Sequence, residues 1–197
     1  MKNILYVLLL TGLSITLISC AKKTTTSSTT TTTTELEGTW ITSCYASGSV
    51  YFLQTLIVSG TDLTRIFKVY TNSTCSTDNG IWIDTFSSLS IGDNVTFTSG
   101  STGHKFSVAV STFAYTPTLA SEVSALNAAV WCGYSNWTIN TAKDYTGKTC
   151  GSTSNAVANT TYLGLYMLVG NNLFLGDFSS TGNYPTSVYT SVPLVKQ

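Results

Sequence analysis

Apolar and polar positions along the chain change in short runs. In residues 105–113, Phe106, Val108 and Val110 alternate with Lys105, Ser107, Ala109 and Ser111, the two-residue period of a strand with one buried face. Runs that alternate less cleanly cover residues 39–45, 51–59, 63–70, 81–86, 94–98, 137–140, 162–169 and 173–178, with further strand around 143–149 and a last one at 187–192. Turn chemistry divides them: Ser59-Gly60-Thr61-Asp62, Asp78-Asn79-Gly80, the Gly/Ser-rich residues 99–103, and Gly170-Asn171-Asn172. One segment has a different period. After Pro117-Thr118, Leu119, Val123, Leu126 and Val130 recur at helical spacing, with Ser121 and Glu122 near the start, which predicts one short helix. Eight or more short antiparallel strands with a single helix predict an all-β domain with minor α content, closed as a barrel or packed as a sandwich.

The first 34 residues follow another logic. Lys2 precedes an apolar run from Ile4 to Ile18, too short for a comfortable membrane span and laid out like an export signal. The string Leu17-Ile18-Ser19-Cys20 resembles a bacterial lipobox. That resemblance implies that residues 1–19 are a lipoprotein signal peptide and that Cys20 becomes the mature N-terminus, carrying a thioether-linked diacylglycerol and an N-acyl chain. Several chains anchor stably, since each buried methylene contributes about 0.8 kcal/mol. Ala21 stands where an inner-membrane retention signal would place Asp, which points to the bacterial outer membrane, the domain facing periplasm or surface. The alternative is an ordinary secretory signal cut after Ala21, with Ser19 and Ala21 as its small residues. Residues 24–34 are Thr or Ser throughout and bury nothing, so residues 20–34 read as a lipidated cysteine and tether. The fourteen residues 21–34 reach at most about 45–50 Å.

Residues 35–197 form the predicted domain. With Cys20 assigned to lipid, Cys44, Cys75, Cys132 and Cys150 remain, an even number in a compartment that permits disulfides. Four cysteines allow three connectivities. Tyr70-Thr71-Asn72-Ser73-Thr74-Cys75 and Tyr145-Thr146-Gly147-Lys148-Thr149-Cys150 share the pattern Tyr-Thr-x-x-Thr-Cys; if each half closes on its own upstream cysteine, the pairs are Cys44–Cys75 and Cys132–Cys150. Each loop would then stabilise the fold by about 3 kcal/mol in the chain-entropy model. Zinc is disfavoured, because no Cys-x-x-Cys occurs and His104 is the only imidazole.

Gly38-Thr39-Trp40 at the head of the first strand resembles the Gly-x-Trp signature of lipocalins. Together with Cys44, Tyr70, Cys75 and the Leu-x-Leu-Gly-Asp run from Leu173 to Asp177, it is similar to lipocalin-like bacterial lipoproteins of unknown function. More distantly, it is similar to the barrel modules of Wnt-inhibitor ectodomains. The resemblance spans most of residues 38–192 and implies a lipocalin-like antiparallel β-barrel of about eight strands, with Trp40 as a structural plug across its closed end. It also implies binding of a small apolar or amphipathic ligand. The helix departs from lipocalin order, falling after the sixth strand instead of the eighth.

Composition narrows the function. Only 9% of the 197 residues are charged, nine basic against nine acidic, well below the roughly one quarter of an average soluble domain. One Arg and no net charge give nucleic acid no basic stripe to hold. If Phe67 and Val69 face inward, Arg65 does too, and a buried guanidinium needs an anionic partner, such as a ligand carboxylate or phosphate; the alternative is an Arg65 at the rim. Phe67, Phe97, Phe106 and Val108 are the other candidate ligand contacts, with core packing as their alternative fate. Catalytic patterns are lacking: there is no Gly-x-Ser-x-Gly, His104 sits in a small-residue turn, and Gly147-Lys148-Thr149 lacks the upstream glycine of a phosphate loop. Asp84 and Asp93 read as solvated loop acids instead of a glycosidase pair. The expectation is a non-enzymatic protein without cofactor or metal, either binding a ligand or acting as a surface interaction or structural lipoprotein with a filled barrel; no protein partner is indicated.

Overall fold

The computed structural model describes residues 34–97, 100–178 and 182–197; Cys20, the signal segment and the tether up to residue 33 lie outside them. The elements in chain order are β1 (Gly38–Thr42), β2 (Tyr45–Ser47), β3 (Val50–Ser59), β4 (Asp62–Tyr70), β5 (Asp78–Thr96), β6 (Thr102–Pro117), α1 (Ala120–Ala128), β7 (Lys143–Asp144), β8 (Thr149–Cys150), β9 (Thr153–Ser154), β10 (Thr161–Val169), β11 (Asn172–Leu175) and β12 (Leu194–Lys196).

Eight of these strands close an antiparallel barrel in the order β1, β12, β11, β10, β6, β5, β4, β3 and back to β1. Closure rests on β1, which pairs Trp40 with Leu56 of β3 on one side and with Lys196 of β12 on the other. β2 continues the pairing of β1 along β3, and β7 extends the wall beside β6 above the point where β10 begins. Side chains of one parity therefore face in, Leu56 and Val58 on β3, Leu63 and Val69 on β4, and Phe106, Val108 and Val110 on β6.

The two disulfides are Cys44–Cys75 and Cys132–Cys150. The first ties the β1–β2 junction to the β4–β5 loop, and the second ties the segment after α1 to β8. The second lies among buried side chains, with Cys132, Trp137, Tyr145 and Cys150 all in the hydrophobic core.

Several predicted boundaries are corrected. Residues 81–86 and 94–96 belong to one nineteen-residue strand, β5, whose pairing with β6 shifts register at three places; Phe97 follows its end, and residue 98 lies outside the described residues. At one of them Ser88 takes a left-handed conformation (φ 57°) and Leu89 is buried, its N–H donating to the Thr61 carbonyl. Local irregularity that resembles a chain reversal in sequence is thus a bulged bend within a continuous strand. Asp78-Asn79-Gly80 starts β5 instead of preceding it. Residues 137–140 form no strand; the Trp137 N–H donates to Asn127 Oδ1 and its indole N–H to the Trp131 carbonyl. The final strand is Leu194–Lys196, not residues 187–192. The helix ends before Val130, which is half exposed and left-handed (φ 47°).

One end of the barrel is sealed by the chain that enters it. Trp40, 2% exposed, donates its indole N–H to the Leu36 carbonyl at 2.8 Å. Glu37 Oε2 accepts from Gly60 N–H in the β3–β4 turn at 2.9 Å, and the Tyr166 hydroxyl of β10 donates to Glu35 Oε1. That bond from Tyr166 holds the Glu35 carboxyl below its ordinary range. Residues 34–37 thus bridge from one wall to the other, with Leu36 buried beneath them. Truncating Trp40 removes the largest side chain of this floor. Trp40→Ala is expected to destabilise the protein by about 3–5 kcal/mol, read as a lower urea midpoint with disulfides intact.

Candidate functional site

Above the floor the barrel is filled with rings. Phe86 lies 6.0 Å from Phe113, 5.8 Å from Tyr162 and 5.5 Å from Phe178, and Phe106 lies 5.4 Å from Phe178, in tilted or edge-on arrangements. Gly164 makes this possible, since a Cβ there would stand 2.3 Å from the Phe106 ring. The excursion between β6 and β10 covers part of the opposite end. Its Trp131 and Trp137 pack against inward-facing Tyr115, and its Tyr145 stacks on Phe113.

Within this apolar body sits the Arg65–Asp84 ion pair. The two residues are directly opposed in the β4–β5 register, and Arg65 donates from Nε at 3.1 Å and from Nη2 at 2.7 Å to the same oxygen, Asp84 Oδ2. The side chains are 18% and 8% exposed. The guanidinium also stands 4.5 Å from the centre of the Phe178 ring, 5.0 Å from Phe67 and 5.9 Å from Phe86. The inward placement of Arg65 follows the parity argument, but its anionic partner is a protein carboxylate. Asp84 takes the place offered to a ligand carboxylate or phosphate, and the reading of Asp84 as a solvated loop acid is corrected. Asp93 is exposed.

Next to this pair the barrel is hollow. A cavity of about 340 Å³ lies between β2, β3 and β4 on one side and the segments 175–178 and 189–194 on the other. Its walls are Tyr45, Phe67, Phe178, Tyr189, Leu175, Val192 and Leu194, with Ser47, Gln54, Arg65, Gly176 and Asp177 among them. Tyr189 is 59% exposed and Asp177 is exposed, so the space opens to solvent on their side. Burial raises the phenol pKa values of Tyr45, Tyr145 and Tyr162, partly offset in each case by Arg65; the charge of Asp84 adds to the rise at Tyr145 and Tyr162. All three are neutral hydrogen-bonding groups at physiological pH.

Of the predicted ligand contacts, Arg65 and Phe67 line this cavity. Phe106 and Val108 are packed in the hydrophobic core, and Phe97 lies beyond the end of β5, its ring against Gly103 in the β5–β6 hairpin; none of the three borders the cavity. Asp84 was readable as inward-facing from its two-residue spacing to Trp82 and Phe86. Tyr45 and Gln54 carry a similar parity signal, whereas Tyr189 and Val192 come from an irregular segment with no period to read. Among the described residues, no three His, Cys, Asp or Glu side chains are grouped to hold a metal ion. No protein-family model matches the chain, and no curated protein is significantly similar to it.

A pair this buried is costly to break and cheap to replace whole. Arg65→Met and Asp84→Leu are each expected to lower stability by about 3–5 kcal/mol, because each strands the opposite charge. The double variant should lose far less than their sum, a coupling measured by a denaturation double-mutant cycle.

Proposed function

We propose that the protein is a lipid-anchored lipoprotein of the bacterial outer membrane, acylated at Cys20, whose lipocalin-like barrel binds a small apolar or amphipathic molecule beside Arg65. The observation that carries the binding role is the cavity itself. Its volume falls at the small end of the roughly 300–1,000 Å³ of small-molecule sites, and its composition, mostly aromatic and aliphatic with a few polar groups, is the one such sites use. The lipobox and the Thr-rich tether support the anchor. A second reading, a filled-barrel interaction or structural lipoprotein, draws on the ring cluster of Phe86, Phe106, Phe113, Tyr162 and Phe178 that occupies the barrel body.

Native mass spectrometry of the protein made in an oxidising compartment separates the two readings. A binder is expected to carry reproducible excess mass that denaturation removes, or to gain it on incubation with small amphiphiles. A bare mass under both conditions favours the filled barrel. Anchoring is tested independently: Cys20→Ser is expected to abolish incorporation of labelled palmitate and release the protein from the membrane fraction.

A further inference from the structure

The charge arrangement around the cavity constrains what the ligand's polar end can be. Arg65 supplies the cavity's only cationic side chain among its described lining residues, and Asp84 already neutralises it through Nε and Nη2. Nη1 has no hydrogen-bond partner among the described residues, leaving donor N–H groups on a side chain that borders the cavity. A second carboxylate, Asp177, stands at the solvent side. Counting Arg65, Asp84 and Asp177, the formal charge around the site is one positive against two negative.

An incoming anion would gain Nη1 but would share one guanidinium with Asp84, meet the field of Asp177 and surrender its own hydration to a partly apolar space. An uncharged acceptor, a carbonyl, amide or ether oxygen, gains the same donor without the repulsion and with a smaller desolvation cost. The apolar remainder of the ligand would lie against Tyr45, Phe67 and Phe178.

Resting on the binding role proposed above, we infer that the cavity selects uncharged molecules, with a neutral hydrogen-bond acceptor directed at Arg65 Nη1 and an apolar body, and discriminates against carboxylates. The Arg65–Asp84 pair is then a neutral donor built into an apolar wall, and Asp84 is the residue that sets the specificity.

The test is calorimetric titration of the full chain at pH 7 with 4-phenylbutanamide and 4-phenylbutanoate, which match in shape and differ in charge. The amide is expected to bind at least about tenfold more tightly, a gap of roughly 1.4 kcal/mol. Asp84→Asn, which frees the guanidinium charge, is expected to reverse the order. Equal or tighter binding of the carboxylate by the unaltered protein overturns the neutral-ligand inference and leaves the binding role standing. Binding of neither probe, in a protein that also shows a bare native mass, overturns both. Because the comparison of the two probes on the unaltered protein decides the matter, a poorly folded Asp84→Asn variant does not obscure the result.

Discussion

Everything in this molecule depends on a five-residue strand finding two partners at once. β1 pairs with β3 through Gly38–Ile41 and with β12 through Trp40–Thr42. Without the β1–β3 contact, the eight strands would be an open sheet with two exposed edges and an apolar face in water. With it, that face becomes an interior, and the interior must be occupied by side chains or by something else. The same strand carries Trp40, so the residue that fills the floor is placed by the pairing that makes a floor necessary.

The interior is then divided. Rings crowd the centre, where Gly164 forgoes a side chain so that Phe106 and Phe178 can approach. The Arg65–Asp84 pair lies at the boundary between this packed region and the hollow that Tyr45, Gln54 and the chain around Tyr189 enclose. An ion pair in such a place adds little net stability over a hydrophobic pair of equal volume. Its physical distinction is directional: it fixes hydrogen-bond donors at one point of a wall that otherwise offers contact without orientation. The neighbouring phenols, held protonated by burial, keep that region polar without adding charge.

Much of this was legible from residue order alone. Clean period-two alternation placed the middle of the long β6, apolar runs bounded by turns placed β1, β3, β4 and the β10–β11 hairpin around Gly170, and the repeated Tyr-Thr-x-x-Thr-Cys pattern framed both disulfide pairs. Parity turned Arg65 inward. The failures share a cause. Residues 87–94 are bulged, so a run rich in Ser, Gly, Asp and Asn looks like a connection while it remains hydrogen-bonded to β6. Trp137 looks like strand because aromatics favour strands, yet its backbone is held by the Asn127 side chain, a contact with no signature in local sequence. The cavity wall at residues 175–178 and 189–194 is set by tertiary contact, which local periodicity does not encode.

The four tryptophans are distributed unevenly between the ends of this barrel. Trp40 is buried in the floor, Trp131 and Trp137 lie under the cover with Tyr115, and Trp82, 39% exposed, stands 5.6 Å from the same Tyr115. None of them borders the cavity. The indole emission of this protein is therefore a composite of two separate regions, one dry and one partly wet. Each region holds a buried indole, Trp40 in the floor and Trp137 under the cover, and the exposed Trp82 belongs to the cover, so the wet share of that emission comes from the cover, while the cavity contributes no indole of its own.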